Sequence, residues 1–442
     1  MKADSAPHPI IGAAARSAAL PLNASFAALL CLVLILAKVI TQFWLERLNR
    51  RHVLAHATAL PQAFRGVMDE ATYARSVQYT LAHGRLRQIE VICHSAVLLA
   101  ALFSGWLPWV FHWFGQALGG AAWAMAAFLF ATGLVLSLPG LPLDWYEQFR
   151  LEARFGFNTT TPKLWWLDRL KGLLLGLVLG YPLLWLVLKL VEWTGAWWWL
   201  WAWGALLGFQ LLMAVLAPVL ILPLFNKFTP LPEGSLRQRL LALAQRTRFR
   251  ARSIQVMDGS KRSRHSNAFF IGFGSFRKIV LFDTLLQQLA EPELEAVLAH
   301  EIGHFNKKHI PKTLAAAALG SLAGCYVVWR LAGQEWFYRA FGFLPGSIVP
   351  ALLLCALLSG VATFWLWPLA HWWSRRHEYQ ADAFAAQVMH EPRSLMGALR
   401  KLNQQNLGNL TPHPLYSGFY YSHPTLLERE QALLAATGAA GA

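Results

Sequence analysis

Two histidines four residues apart with a glutamate between them are the most chemically pointed feature of this sequence: His300-Glu301-Ile302-Gly303-His304, an HExxH pattern. Positions four apart on an α-helix are neighbours on one face, so two imidazoles there can share one zinc ion. Glu301, one step round, can reach a water at the metal and serve as its general base. The flanking residues predict the helix that this geometry needs. Pro292 suits a first helical position, and Glu291, Glu293 and Glu295 put negative charge where the helix dipole favours it. Leu294, Val297, Leu298, Ile302 and Phe305 recur at helical spacing as an apolar stripe.

Two histidines and a water leave zinc one protein ligand short of the common catalytic arrangement. The stretch His377-Glu378-Tyr379-Gln380-Ala381-Asp382 offers it. Glu378 and Asp382 share a helix face, so one can bind the metal while the other accepts the free N–H of a ligating histidine. Residues 377 and 378 are about 100° apart on a helix and cannot both face the metal. Choosing Glu378 leaves Asp382 on the same face and makes the site His₂Glu. Asn267 lies on a predicted strand edge, where it can bind the backbone of an extended substrate; a turn asparagine is the plainer alternative. Either His423 or Arg429, in the stretch SHPTLLER, can stabilise the oxyanion of a tetrahedral intermediate.

The elements that carry these groups are mostly membrane helices. Of 442 residues, 56% are hydrophobic and 14% charged, with mean hydropathy +0.38; a soluble domain carries about 25% charged residues. The net charge of +16 does not call for nucleic acid, because Lys and Arg sit mainly in loops between apolar spans, where they set orientation in lipid. Seven spans are expected, at about 24–44, 88–111, 118–138, 173–192, 203–224, 313–333 and 347–370. The loops 45–86, 139–170 and 225–312 and the tail are basic, whereas 112–117, 193–202 and 334–346 are nearly bare. That alternation puts the N-terminus outside and the HExxH loop and tail in the cytoplasm. Lys38 and His94 fall inside spans and are expected to face protein or water. Cys31, Cys93, Cys325 and Cys355 read as small apolar residues, neither disulfides nor ligands. Three strands are expected before the HExxH helix, at 253–257, 267–272 and 278–283, the last two joined through Gly272-Phe273-Gly274-Ser275. The domain plan is a flexible 1–22, an N-terminal membrane domain over 23–224, and a metallopeptidase domain over 225–442.

Taken in order, RSRHSNAFFIGFG, RKIVLFDTLL, the HEIGH helix, EYQAD and YSHPTLLER resemble the type 1 CAAX prenyl proteases, as does FGFNTTTPKLWWLDRLKG further upstream. The resemblance covers about residues 20–435. It implies a mainly α, seven-span membrane protein of the gluzincin kind, enclosing a water-filled chamber and carrying a small β-sheet. It further implies His300, His304 and Glu378 as ligands of one zinc ion, Glu301 as base and Asp382 as the acid behind a ligand. Asn267 and His423 match residues near substrate and transition state, and Arg429 the arginine that closes that motif. The four-span bacterial heat-shock membrane protease shares HExxH and the later Glu but not the FGFN stretch. The expected substrate is a peptide or lipidated peptide in contact with membrane lipid. A composition rich in Ala, Leu, Trp and Arg points to a bacterial inner membrane. The alternatives are a general quality-control protease of membrane proteins, and a transporter or receptor that retains the protease fold.

Overall fold

The computed structural model describes residues 22–65, 68–249, 251–271 and 277–436. The expected flexible N-terminus, the Gly272–Ser275 turn and the tail 437–442 lie outside the described residues. Two helices of 34 residues begin the fold, α1 (Leu22–Ala55) and α2 (Glu70–Phe103). At 1.5 Å per residue each is about 51 Å long, well beyond a hydrocarbon core of about 30 Å. Their polar halves therefore continue past the membrane as a helical hairpin, which is why most of the expected loop 45–86 is helical. Asp69 caps α2 by accepting the Thr72 N–H at 2.8 Å. Val53, Leu60, Phe64, Met68, Tyr73 and Val77 seal the hairpin together with Leu410 from the far end of the chain.

Among the described residues, five helical runs are long and apolar enough to cross a membrane, or six if the bent pair Ile348–Phe364 and Trp367–Met389 is one crossing. Seven were expected. The difference lies in Pro162–Phe225, a run of 64 residues, which at 1.5 Å per residue would be about 96 Å, three times the hydrocarbon core. Gly195, at φ 54° and ψ −130°, interrupts it. The helices Tyr181–Thr194 and Trp198–Leu216 then pack on each other through Val187, Trp198 and Ala202. The run folds back at the tryptophan-rich turn and so contains two of the expected crossings. Lys38, within α1, donates from Nζ to the Gly360 carbonyl at 3.1 Å. All four cysteines are free.

The peptidase half has its own core and a four-stranded sheet in the order β1-β2-β4-β3. The strands are β1 (Phe228–Pro230), β2 (Ala251–Met257), β3 (Ala268–Ile271) and β4 (Arg277–Phe282). β1 was not anticipated, because three residues ending in proline carry no alternation to read. β2 and β4 run parallel, with Ile254 opposite Ile279 and Val256 opposite Leu281. β3 pairs antiparallel on the open side of β4 and is an edge strand. The HEIGH helix, Glu291–Asn306, turns Leu294, Leu298 and Ile302 into this core. The Glu293 carboxylate caps its start by accepting the Ala290 N–H at 2.8 Å. The EYQAD helix, Trp367–Met389, bends 61° from the membrane helix Ile348–Phe364 before it, with Pro368 in its first turn. That bend brings its buried face, Glu378, Ala381, Asp382, Ala385 and Ala386, against the HEIGH helix.

Candidate active site

Small residues decide how closely the two site helices approach. Gly303 faces the backbone of Ala381: a Cβ added there would lie 3.0 Å from Ala381 Cα and 3.1 Å from its carbonyl oxygen. The x-x of HExxH thus contains a packing requirement that the sequence reading passed over. The signal for it was the glycine itself, a helix-weakening residue in an otherwise strong helix.

With the helices this close, three side chains converge. His304 Nε2 lies 3.1 Å from His300 Nε2. Glu378 Oε2 is 3.5 Å from His300 Nε2, and Glu378 Oε1 is 3.3 Å from His304 Nε2. Metal–ligand distances of about 2.0–2.2 Å at tetrahedral angles give ligand–ligand edges of roughly 3.3–3.6 Å. Each histidine nitrogen faces a different oxygen of Glu378, and one ligand atom from each of the three residues lies within 4.8 Å of the others, close enough to share one ion. Glu378 Oε2 is buried and accepts no hydrogen bond, an orphan that a cation would satisfy. Among the described residues this is the group of histidines and acids able to hold a metal ion. His377 points elsewhere, its ring stacked on that of His309 with centroids 3.9 Å apart.

Behind the ligands, Asp382 Oδ1 accepts from His300 Nδ1 at 2.8 Å. Arg429 donates to the same carboxylate from Nε (2.8 Å) and Nη2 (2.6 Å). Both Nε and Nη2 of Arg429 are engaged there, and Nη1 lies 3.9 Å from Glu378 Oε2. Arg429 therefore sits as an anchor for Asp382. Burial alone would lower the His300 pKa, but Asp382 and Glu378 outweigh it and raise it to about 9. Two carboxylates thus press on the histidine pair and call for positive charge between them, which a metal ion supplies in place of protons. Burial pushes the Glu301 carboxyl up from its ordinary range, against the pull of the two histidines.

His423 approaches from a loop near the C-terminal end. Its Nε2 is 3.4 Å from Glu378 Oε1, and its side chain is largely exposed. The loop before it is fixed by Arg375 Nη1, which donates to the carbonyls of Gly418 (3.1 Å) and Tyr421 (2.7 Å). His371 Nδ1 also donates to the Phe419 carbonyl at 2.6 Å. Asn267 is exposed at the start of edge strand β3; its Oδ1 accepts the Ala268 N–H, and its carbonyl accepts the Phe282 N–H. Nearby, His265 contacts Glu152 at 3.3 Å and Asn406 at 3.0 Å, and stacks on Phe157 of the FGFN turn. That contact ties the peptidase half to the N-terminal half, as does the bridge between Asn158 and Ser263.

A family model described as "CAAX prenyl protease N-terminal, five membrane helices" matches residues 49–227. A second, peptidase family M48, matches residues 230–437. The CAAX prenyl protease 1 of Saccharomyces cerevisiae is 35% identical over 410 residues, covering 87% of this chain and 90% of the yeast protein. The CAAX prenyl protease 1 homolog of Oryza sativa subsp. japonica is 33% identical over 398 residues, covering 87% and 92%. Among solved structures, the crystal structure of S. mikatae Ste24p superposes with a TM-score of 0.86 at 32% identity, covering 92% of this chain and 98% of that one.

Proposed function

The chain belongs to peptidase family M48, among the CAAX prenyl protease 1 relatives, and from that premise we propose that it is a zinc endopeptidase of the membrane that cuts prenylated CAAX-type C-termini. Integral-membrane placement and metallopeptidase activity come with the family. The observation that carries the rest is the convergence of His300, His304 and Glu378 around an orphaned carboxylate oxygen. These three residues would hold the metal. Zinc bound there polarises a scissile carbonyl and lowers the pKa of a water.

Glu301 takes the proton from that water and later passes it to the leaving amine. His423 holds the developing oxyanion. Asp382, held by Arg429, keeps His300 in the tautomer whose Nε2 is free to bind. The edge of β3, with Asn267 at its start, receives the extended substrate backbone. Lys307 and Lys308 immediately precede the membrane helix His309–Ala332, and Arg375 and Arg376 lie on the EYQAD helix beyond its bend from the membrane helix Ile348–Phe364. The site and the C-terminus therefore face the cytoplasm, with the N-terminus outside, in a bacterial inner membrane.

The test is zinc content together with cleavage of a farnesylated CAAX peptide by detergent-purified protein and its Glu301→Gln variant. One zinc per chain in both, and tripeptide release by the wild type alone, is the expected result. Near-normal turnover in Glu301→Gln with zinc unchanged overturns the mechanism. Equal cleavage of an unprenylated membrane-protein segment turns the substrate reading toward quality control.

A further inference from the structure

The two ligating histidines are backed differently. His300 has Asp382; His304 has no carboxylate on its outer nitrogen. Its Nε2 faces the metal-site atoms, so its Nδ1 points away, and there it lies 2.9 Å from Nδ1 of His309. The Nε2 of His309 in turn lies 2.9 Å from Oε1 of Gln380, on the EYQAD helix between Glu378 and Asp382. His309 is buried, and its ring lies flat on that of His377, with a 10° interplanar angle.

Helical periodicity would not put these rings together. On a continuous helix, positions five apart are about 140° apart around the axis and face different ways. Here the HEIGH helix ends at Asn306, and Lys308 adopts a left-handed conformation at φ 56°. Left-handed backbone is unfavourable for a non-glycine residue, because Cβ crowds the following carbonyl oxygen. His309 is then the first residue of a new helix, His309–Ala332, with its ring turned back against His304.

We propose that His309 and Gln380 are positioning residues for His304, forming a two-bond relay that fixes its tautomer and aims its Nε2 at the metal. The inference rests on the metal-centre reading above. Proton positions follow from the chemistry. A histidine bound through Nε2 carries its proton on Nδ1 and donates it to His309 Nδ1, which must be unprotonated to accept it. The His309 proton then sits on Nε2 and is donated to the Gln380 side-chain oxygen. Every donor meets an acceptor in only this direction, so the relay admits one tautomer at each ring. Gln380 also couples the two ligand-bearing helices, because it leaves the same helix as Glu378.

The test is the zinc dissociation constant of the full-length protein in detergent, by chelator competition, for wild type, His309→Ala, His309→Asn and His309→Gln. Loss of a group that orients a ligand typically weakens metal binding about 10–100-fold, and His309→Ala should fall in that range. Asn places its side-chain oxygen near the old Nδ1 and should restore most of the affinity. Gln reaches the old Nε2 position and should not. If the ring served only packing, the order would reverse, because Gln is closer than Asn to His in volume. Wild-type affinity in His309→Ala, or better rescue by Gln than by Asn, overturns the proposal while leaving the metal centre standing. A wild-type protein that binds no zinc removes the metal centre and the relay with it.

Discussion

Replacing Asp382 by Asn changes one atom type at the point where three donors meet. The carboxylate accepts from His300 Nδ1 and from Nε and Nη2 of Arg429, and its side chain is only 2% exposed. An amide of the same shape has one acceptor oxygen and one NH₂ donor. If the oxygen stays opposite His300, the NH₂ faces Arg429 Nε, donor against donor. If the amide flips, it faces both His300 and Arg429 Nη2. In the first arrangement His300 exchanges a charge-assisted bond of about 1.5–3 kcal/mol for a neutral one of about 0.5–1.5 kcal/mol. That difference of roughly 1–1.5 kcal/mol is about a tenfold loss of zinc affinity, and the flipped arrangement extends it toward about 100-fold. Arg429, mostly buried beside it, also loses the carboxylate charge that both Nε and Nη2 contact. Breaking a buried pair costs about 3–5 kcal/mol, so the melting temperature should fall as well. The assay is chelator competition for zinc in detergent, with thermal unfolding measured on the same samples. An unchanged zinc dissociation constant would refute the role of Asp382. A fall in melting temperature alone would show that the carboxylate serves the fold and not the metal.

His423→Ala should lower kcat by about 10²–10³ with zinc content unchanged, as expected for loss of one oxyanion donor; a change in KM alone would assign the ring to ground-state binding. Gly303→Ala adds a Cβ 3.0 Å from a backbone atom that cannot swing away. Overpacking costs about 1–3 kcal/mol and the gain in helix propensity returns about 1 kcal/mol. Stability should therefore fall by about 0–2 kcal/mol while zinc binding weakens through the separated helices, and unaltered affinity would count against this packing argument. His265 is pulled down by burial, but Glu152 and Asn406 outweigh that and raise its pKa above the ordinary value. The stability it contributes is full below about pH 6.5 and is lost as pH rises through its raised folded-state pKa. The melting temperature of wild type should accordingly fall more steeply above pH 6.5 than that of His265→Gln, and parallel curves would refute the contribution. For orientation, cysteines placed at the exposed positions Ala117 and Leu344 in a background without the native four should react with an impermeant thiol reagent on intact cells, and one at Glu233 should not; the reverse labelling places the site outside.

What the sequence determined by itself was local and periodic. His300 and His304 share a face because helices repeat every 3.6 residues, and Glu378 and Asp382 share one for the same reason. Apolar runs marked the membrane helices, since lipid tolerates no other spanning segment of this composition. Tertiary structure decided what lies between distant segments. Asp382 backs His300 and not His304 across 82 positions of sequence, and no periodicity carries that choice. Arg429 could be read from its type as an oxyanion donor; that its Nε and Nη2 reach back to Asp382 was not legible in its type or spacing. The fold-back at Gly195 was readable only as a tryptophan-rich turn, because helical hydropathy continues on both sides of it. His309 was hidden for the opposite reason. Its five-residue spacing from His304 points away from the site on any regular helix, and one left-handed residue, Lys308, brings it back. Periodicity describes a chain only while its backbone repeats, and the partner of His304 sits just past the residue where the repeat ends.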